Sequence, residues 1–368
     1  MKSKKHLSMI ITAVLVLSVC CMNIATTDVG AASKKVVKPS GKKDNTDVKR
    51  INKALKKYGT VKLKKGKKYY LTSPITLRSN RTLDATGAVI VGKKDLISAK
   101  IKKANYENLK NVTIKGGTWK YKSKKGYNRT SMSFVHSSNI KLLNMGIKSA
   151  NYNGHAIELV GCKDVLISNV KIKPCGTAKK SQETMVQIDI ATNATYPRLK
   201  GTGLGNGATC QNIVIQNCRI TGNRGIATGY DYNNSGYQGR MHTGIRIQNN
   251  TITGKNAEGL FLVNTENATV TGNTIVSEYT NYSSDKAIGL HYLMIAKSDR
   301  ATLVCSNNTI KGGKYAVRAY SQSGRNLFTV MLLNNRCYCK KGASSAIQAA
   351  NKGIDELFMD GNTTYTWK

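Results

Sequence analysis

Hydrophobic and polar positions alternate over short stretches along most of the chain, the period-2 pattern of half-buried β-strands. Val61-Lys62-Leu63 and Tyr69-Tyr70-Leu71 are the first examples. One earlier stretch has helical spacing: residues 46–55 place Val48, Ile51 and Leu55 on one face, which predicts a short amphipathic helix with an N-cap. Further on, the strand pattern repeats. A short strand is followed by an asparagine and a small or β-branched residue, at Asn169, Asn217, Asn250, Asn273, Asn308 and Asn362, with Asn144 followed by Met145 and Asn335 by Arg336. After each of these except the last comes a second strand-like segment, at 156–160, 186–191, 226–231, 260–263, 288–292, 317–320 and 347–350.

Strand-only repeats of 20–50 residues predict a β-solenoid. The asparagines have a physical reason to recur. Asparagine tolerates the left-handed backbone of a tight turn, and its amide can bond to the asparagine one coil away, ~4.8 Å along the axis. The reading is therefore an all-β chain in which Asn217, Asn250, Asn273, Asn308 and Asn335 stack at one turn.

The N-terminus has a different pattern. Lysines at 2, 4 and 5 precede an apolar run over 9–22 and a small-residue stretch ending Val29-Gly30-Ala31-Ala32, the layout of a secretory signal peptide. The run is too short to span a bilayer comfortably. The expected organisation is a signal peptide at 1–32, a basic structureless linker at 33–45 and one domain over 46–368. The expected location is outside the cell, in solution or bound to the wall.

Charge narrows the partners. The 368 residues carry 58 Lys and Arg against 19 Asp and Glu, a net +39, of which +23 falls within 33–125. Such a surface calls for polyanions: an acidic polysaccharide or an anionic cell-wall polymer. Export removes nucleic acid as the natural partner. Cleavage leaves seven cysteines, at 162, 175, 210, 218, 305, 337 and 339, an odd and scattered set that reads as apolar core rather than a disulfide framework or metal site.

Over about residues 44–368 the sequence resembles the right-handed parallel β-helix proteins of the pectate-lyase-like superfamily. The asparagine repeat carries the likeness, together with the entry Asp47, Ile51-Asn52-Lys53-Ala54-Leu55, Gly59-Thr60-Val61-Lys62-Leu63, Gly66 and Tyr70, which is similar to the capping helix and first strands of many members. The resemblance implies a right-handed parallel β-helix with an N-terminal capping helix. It leaves function open, because the superfamily holds lyases, polygalacturonases, epimerases, tailspikes and adhesins.

Alternation locates candidate chemistry. With Ile157 and Leu159 inward, Glu158 points out, and by the same rule so do Gln187, Asp189, Asp231, His291, Arg318 and Tyr320. His155 stands at the mouth of the first of these strands. Loops at 171–185, which include Glu183, and at 192–211, which include Arg198, are long enough to wall a groove. His136 reads as a surface strand residue and His242 as a loop residue. The candidate catalytic set is Glu158, Asp189, Asp231 and His155, and the candidate substrate contacts are Gln187, His291, Arg318, Tyr320 and Arg198. No cofactor is required by the pattern. Calcium held by Glu158, Asp189 and Asp231 is expected only for a lyase.

The family's catalytic signatures do not carry over. Asn45-Thr46-Asp47 lies in the cap, Gly154-His155-Ala156 and Arg246-Ile247-Gln248 are partial echoes of polygalacturonase elements, and Gln187-Ile188-Asp189 is a faint parallel to a lyase element. Three readings stand: a polysaccharide lyase acting on a uronate polymer, which the basic surface favours slightly; a glycoside hydrolase on a pectin-like chain; and a non-catalytic wall- or glycan-binding protein.

Overall fold

The computed structural model describes residues 33–121, 130–149, 154–174, 184–231, 235–237, 239–296, 298, 301–322, 329–349 and 353–368. These form a right-handed parallel β-helix. Each coil gives one strand to each of three parallel sheets, here called sheets 1, 2 and 3, of thirteen, eleven and ten strands. One coil shows the plan. Met132–Val135 lies in sheet 3, Ser137–Leu143 in sheet 1 and Gly146–Ser149 in sheet 2, and Ile157–Val160 then pairs in parallel with Met132–Val135 to start the next circuit. The corner from sheet 3 to sheet 1 is here a single residue, His136, at φ 49. The corner from sheet 1 to sheet 2 is two residues, Asn144 and Met145. Long insertions enter only on either side of sheet 3.

Alternation sends every second side chain inward, where identical types stack rung on rung. In sheet 2 the register Trp119, Ile147, Ile172, Ile220, Ile252, Ile275, Ile310 forms one buried column. In sheet 1, Ile114, Leu142, Ile167, Ile215 and Ile247 form another. Each such isoleucine is worth about 1.5–3 kcal/mol relative to exposure. Cys162, Cys210, Cys218, Cys305, Cys337 and Cys339 are buried free thiols, as the apolar reading expected, while Cys175 lies outside the described residues.

The asparagine turn contains two rows, offset by one residue. Asn144, Asn169, Asn217, Asn249, Asn307 and Asn334 form the outer row, with φ between 54 and 56, and Gly272 and Gly361 fill the remaining rungs. The inner row is Asn250, Asn273, Asn308, Asn335 and Asn362. Each Oδ1 accepts from the preceding coil, as in Asn250 N–H to Asn273 Oδ1 (2.8 Å) and Asn273 N–H to Asn308 Oδ1 (2.9 Å), and the chain ends at Asn362 Oδ1. Each Nδ2 also donates to a buried carbonyl; Asn273 reaches Ile247 O at 2.8 Å. The expectation that Asn217 shares this row needs correction. Asn217 occupies the outer, left-handed position and Cys218 the inner one, where its N–H donates to Asn250 Oδ1 (2.8 Å). Upstream, the inner position is Val170 and Met145, so the carboxamide chain gives way to apolar packing.

The N-terminal end is closed by α1, Thr46–Lys57, which buries Val48, Ile51, Ala54 and Leu55. The expected N-cap bond is not made: Asn45, at the cap position, instead accepts from Ser73 Oγ (2.9 Å). The linker expectation for 33–45 also needs correction. Lys34–Val37 pairs in parallel with Thr60–Leu63 and is the first rung of sheet 1. The physical reason is the open strand edge, whose N–H and C=O groups need partners. Val37 is buried, and its carbonyl accepts from Tyr69 Oη (2.6 Å). No helix among the described residues is long and apolar enough to cross a membrane.

The two rows make a stability prediction. Asn273→Ala leaves the Asn250 N–H and a buried carbonyl without partners and is expected to cost ~1–3 kcal/mol. Asn217→Gly keeps the left-handed backbone accessible and is expected to change stability little. Denaturant unfolding midpoints of both variants check this; equal losses would mean the inner row has no special role.

Candidate functional site

The outer face of sheet 3 brings the sequence-predicted residues into register. Ser133, Glu158, Gln187, Ala227, Phe261, His291, Arg318 and Gln348 follow one another rung by rung. This face is not simply solvated. Residues 192–210 fold over its upstream end, where Tyr196, Leu199 and Ala208 pack on the outward Val135 and Val160. Tyr196 Oη donates to Ser133 Oγ (3.1 Å), and Arg198 pairs with the buried Asp95. Of the expected walls, 192–211 is therefore observed, whereas residues 175–183, Glu183 among them, lie outside the described residues.

Under this cover His155, Glu158 and Asp189 converge, with one donor atom from each lying within 4.8 Å of the others. Glu158 and Asp189 are each only 5% exposed. Thr130 Oγ1 donates to Glu158 Oε2 (2.9 Å), and Gln187 Nε2 donates to Asp189 Oδ1 (2.7 Å). His155 Nδ1 lies 3.0 Å from the Thr184 carbonyl, which accepts only; neutral His155 therefore carries its proton on Nδ1 and leaves Nε2 as an acceptor. Gly229 closes the floor: a Cβ there would overlap Asp189 Oδ1 and stand 2.8 Å from Gln187 Nε2. Asp231 is buried beyond the end of strand Arg224–Thr228 and is not a member of the three-residue group.

Burial controls the charge states. It pushes the Glu158 carboxyl up to about 7, against the hydrogen bond from Thr130 and the charge of Arg198. It also pushes Asp189 up to about 7, with His155 opposing and Glu158 adding to the rise. His155 is lowered by burial, and the neighbouring Asp189 charge works against that. Two carboxyls this close cannot both ionise freely, so near neutral pH the pair holds a proton to give and a charge to accept one.

Downstream on the same face lies a second constellation that sequence reasoning identified only in part. Arg224, aligned with Thr184, reaches Glu258 Oε2 through Nε (2.9 Å) and Nη2 (2.8 Å). His291 does point outward as expected but is only 4% exposed, stacked between Phe261 (4.7 Å between ring centroids) and Tyr320 (5.7 Å). Its Nδ1 stands 3.5 Å from Glu258 Oε1. Arg318 lies over the Tyr320 ring at 4.2 Å and pairs with Asp285 (2.8 Å). Arg224 and Glu258 escaped notice because they sit two positions before the first inward residue of their strands, at the corner, where alternation gives no direction. Phe261 was legible as an outward aromatic in register with His291.

Two histidines differ from expectation. His136 is buried beneath the 192–210 segment, with Nε2 2.8 Å from Leu204 O. His242 begins strand His242–Gln248 and is fully buried; it accepts from Cys210 N–H (3.0 Å) at Nδ1 and donates from Nε2 to Gly229 O (2.8 Å). Burial lowers its pKa to about 4. It supports the Gly229 backbone against Asp189.

No protein-family model and no curated protein sequence matches the chain. Solved structures do. The surface adhesin PfbA of Streptococcus pneumoniae aligns with a TM-score of 0.63 at 17% identity, covering 89% of this chain and 84% of that one. A hyperthermoactive exopolygalacturonase from Thermotoga maritima aligns with a TM-score of 0.55 at 15% identity, covering 90% and 93%. The fold they share with this chain is the right-handed parallel β-helix. At these identities the likeness extends to the fold alone, and the activity has to be argued from the site.

The raised carboxyls carry a pH signature. An ordinary carboxyl titrates near 4 in the unfolded chain. Since Glu158 and Asp189 bind protons more tightly when folded, their contribution to stability is complete below about pH 4 and is lost as pH rises through about 7. Asp189→Asn and Glu158→Gln are expected to unfold at higher temperature than the parent at pH 8, with the gap closing by pH 4. Thermal melts across that range check the sign.

Proposed function

We propose that the chain binds and cleaves an acidic polysaccharide on the outer face of sheet 3, by β-elimination. The observation that carries this reading is the convergence of two near-neutral carboxyls and an imidazole within 4.8 Å, beside the guanidinium groups of Arg198 and Arg224. Elimination needs a base for the C–H next to the sugar carboxylate, a cation for that carboxylate and an acid for the leaving oxygen. Neutral His155 offers Nε2 as the base, with Asp189 beside it to stabilise the imidazolium. Arg224 faces the carboxylate. Glu158, protonated, is the acid. The C–H bond breaks as a C=C bond forms, the C–O bond to the next sugar breaks, and its oxygen takes the Glu158 proton.

Calcium does not suit this group. Ca2+ takes six to eight oxygen ligands, whereas here an imidazole stands where Asp231 was expected to complete an oxygen set. No step is assigned to a metal.

Hydrolysis is the second reading, and the short distance between the carboxyls favours it: retaining glycosidases hold their pair ~5–5.5 Å apart. The exopolygalacturonase among the similar folds is consistent with either reaction, and the adhesin with binding alone. The signal-peptide pattern at 1–32 supports action outside the cell.

With polygalacturonate as substrate, elimination generates an unsaturated product that absorbs in the ultraviolet, and hydrolysis generates reducing ends without it. Glu158→Gln is expected to lower kcat by about 10²–10⁴. In the parent, kcat is expected to fall as pH rises through about 7, where Glu158 loses its proton. Parental rates in both Glu158→Gln and Asp189→Asn would remove this face as the active site and leave glycan binding as the function.

A further inference from the structure

Sheet 2 has a different electrostatic character from sheet 3. Its eleven strands contain eight Lys and Arg residues and not one Asp or Glu. The cations are also aligned. Lys120, Lys148 and Lys173 occupy the same outward position on three consecutive rungs, and Lys171 faces Arg219 across the next pair. Rungs are ~4.8 Å apart and successive outward residues on a strand ~6.6 Å apart. Like charges placed directly opposite one another destabilise a sheet. None of these five has a carboxylate partner among the described residues. The fold thus holds a row of positive charge whose neutralisation must come from outside the described chain.

A groove gives the row an edge. A cavity of about 490 Å³ at the corner of sheets 1 and 2 is lined by Lys171 and Arg219 and by the exposed carboxamides of Asn169, Asn217 and Asn249. Amide N–H donors beside cations suit oxyanions. The left-handed backbone of the outer asparagine row is what turns these side chains toward the groove mouth.

We propose that this strip binds a linear polymer of phosphate groups, at a site separate from the glycan site on sheet 3. The choice of phosphate follows from the residues. Four of the five cations are lysines, compact point charges that suit phosphate, and the guanidinium of Arg219 takes phosphate as well. The outward positions of these rungs, Thr118, Lys120, Gly146, Lys148, Lys171, Lys173 and Arg219, offer no aromatic ring on which a sugar could stack. Sheet 3 has such rings, in Phe261 and Tyr320. The strip crosses four rungs, ~14 Å, which calls for several charges in a row rather than one ion. Because it lies on a different sheet from Glu158 and Asp189, a phosphate polymer and a glycan can be held together, and the strip would keep the protein at an anionic surface while sheet 3 works.

The test uses inorganic polyphosphate as probe, with binding measured by titration calorimetry at low and high salt. The parent is expected to bind, with affinity falling as salt rises. The triple variant Lys120→Gln, Lys148→Gln, Lys173→Gln is expected to bind about tenfold more weakly or worse, with a shallower salt dependence. The corresponding Lys→Arg triple variant is expected to keep binding and so separates charge from damage to the fold. Turnover or binding of polygalacturonate is expected to be unchanged in both, so a failure of the catalytic reading is seen separately. No polyphosphate binding by the parent, equal binding by the Lys→Gln variant, or an equal loss of polygalacturonate binding in that variant would overturn the proposal.

Discussion

Everything in this molecule depends on each coil returning to a fixed place above the last. A parallel solenoid has no hairpins to set its register, so the turns must do it. Here one corner is turned by a residue in the left-handed region, and the next residue sends a carboxamide inward to bond the coil beside it. The left-handed residue fixes the angle and the buried amide fixes the height. An amide out of step would leave its own donors and its neighbour's unpaired in a place water does not reach, and that cost makes the register strict. Inward columns of isoleucine then follow, and in the downstream coils so does the outward column that joins Phe261 to His291.

The same strictness explains how acidic groups are kept in a chain of net charge +39. Asp84 faces Lys62 and Lys115, and Glu258 faces Arg224, each held by a cation. Glu158 and Asp189 lack so close a counter-charge and are covered by the 192–210 segment, and both carboxyls rise. Arg198 lies close enough to oppose the rise in Glu158 but bonds Asp95 instead. The raised carboxyls are thus the ones from which pairing is withheld, while the paired carboxylates stabilise their surroundings. Burial alone would not have done this: Glu258 is as buried as Glu158, yet its carboxyl is held below the ordinary range by its partners.

Much of this was legible in the sequence, for a specific reason. Within a strand, direction follows from a period of two, so alternation alone puts Glu158, Gln187 and Asp189 on the outer face, where the structure has them. At corners there is no period. Asn217 and Asn250 look alike as letters and differ by one backbone position. Arg224 opens its strand and Glu258 precedes its own, and their pairing depends on which coil lies above which. Coverage is also invisible to alternation. His136, His242 and His291 were given exposed roles because nothing local announces that a distant loop or a stack of rings encloses them. The leader at 33–45 was misjudged for a related reason: a strand with the sequence Lys-Lys-Val-Val forms because an edge awaits it, and the edge is made by residues further along.

The repeated inner columns have a consequence for how such a chain can change over time. Adjacent coils present nearly the same apolar surface to one another, Ile220 against Ile252 and Ile252 against Ile275. A duplicated coil could therefore be spliced between two existing ones and meet familiar packing above and below, since each repeat touches only its neighbours. The ends would remain as they are, and the rungs that carry Glu158 and Asp189 would keep their immediate surroundings. What would lengthen is the track beside them, by one rung at a time. The length of the outward face is in this architecture a quantity that gene duplication can adjust in single steps, separately from the side chains that meet at one point on it.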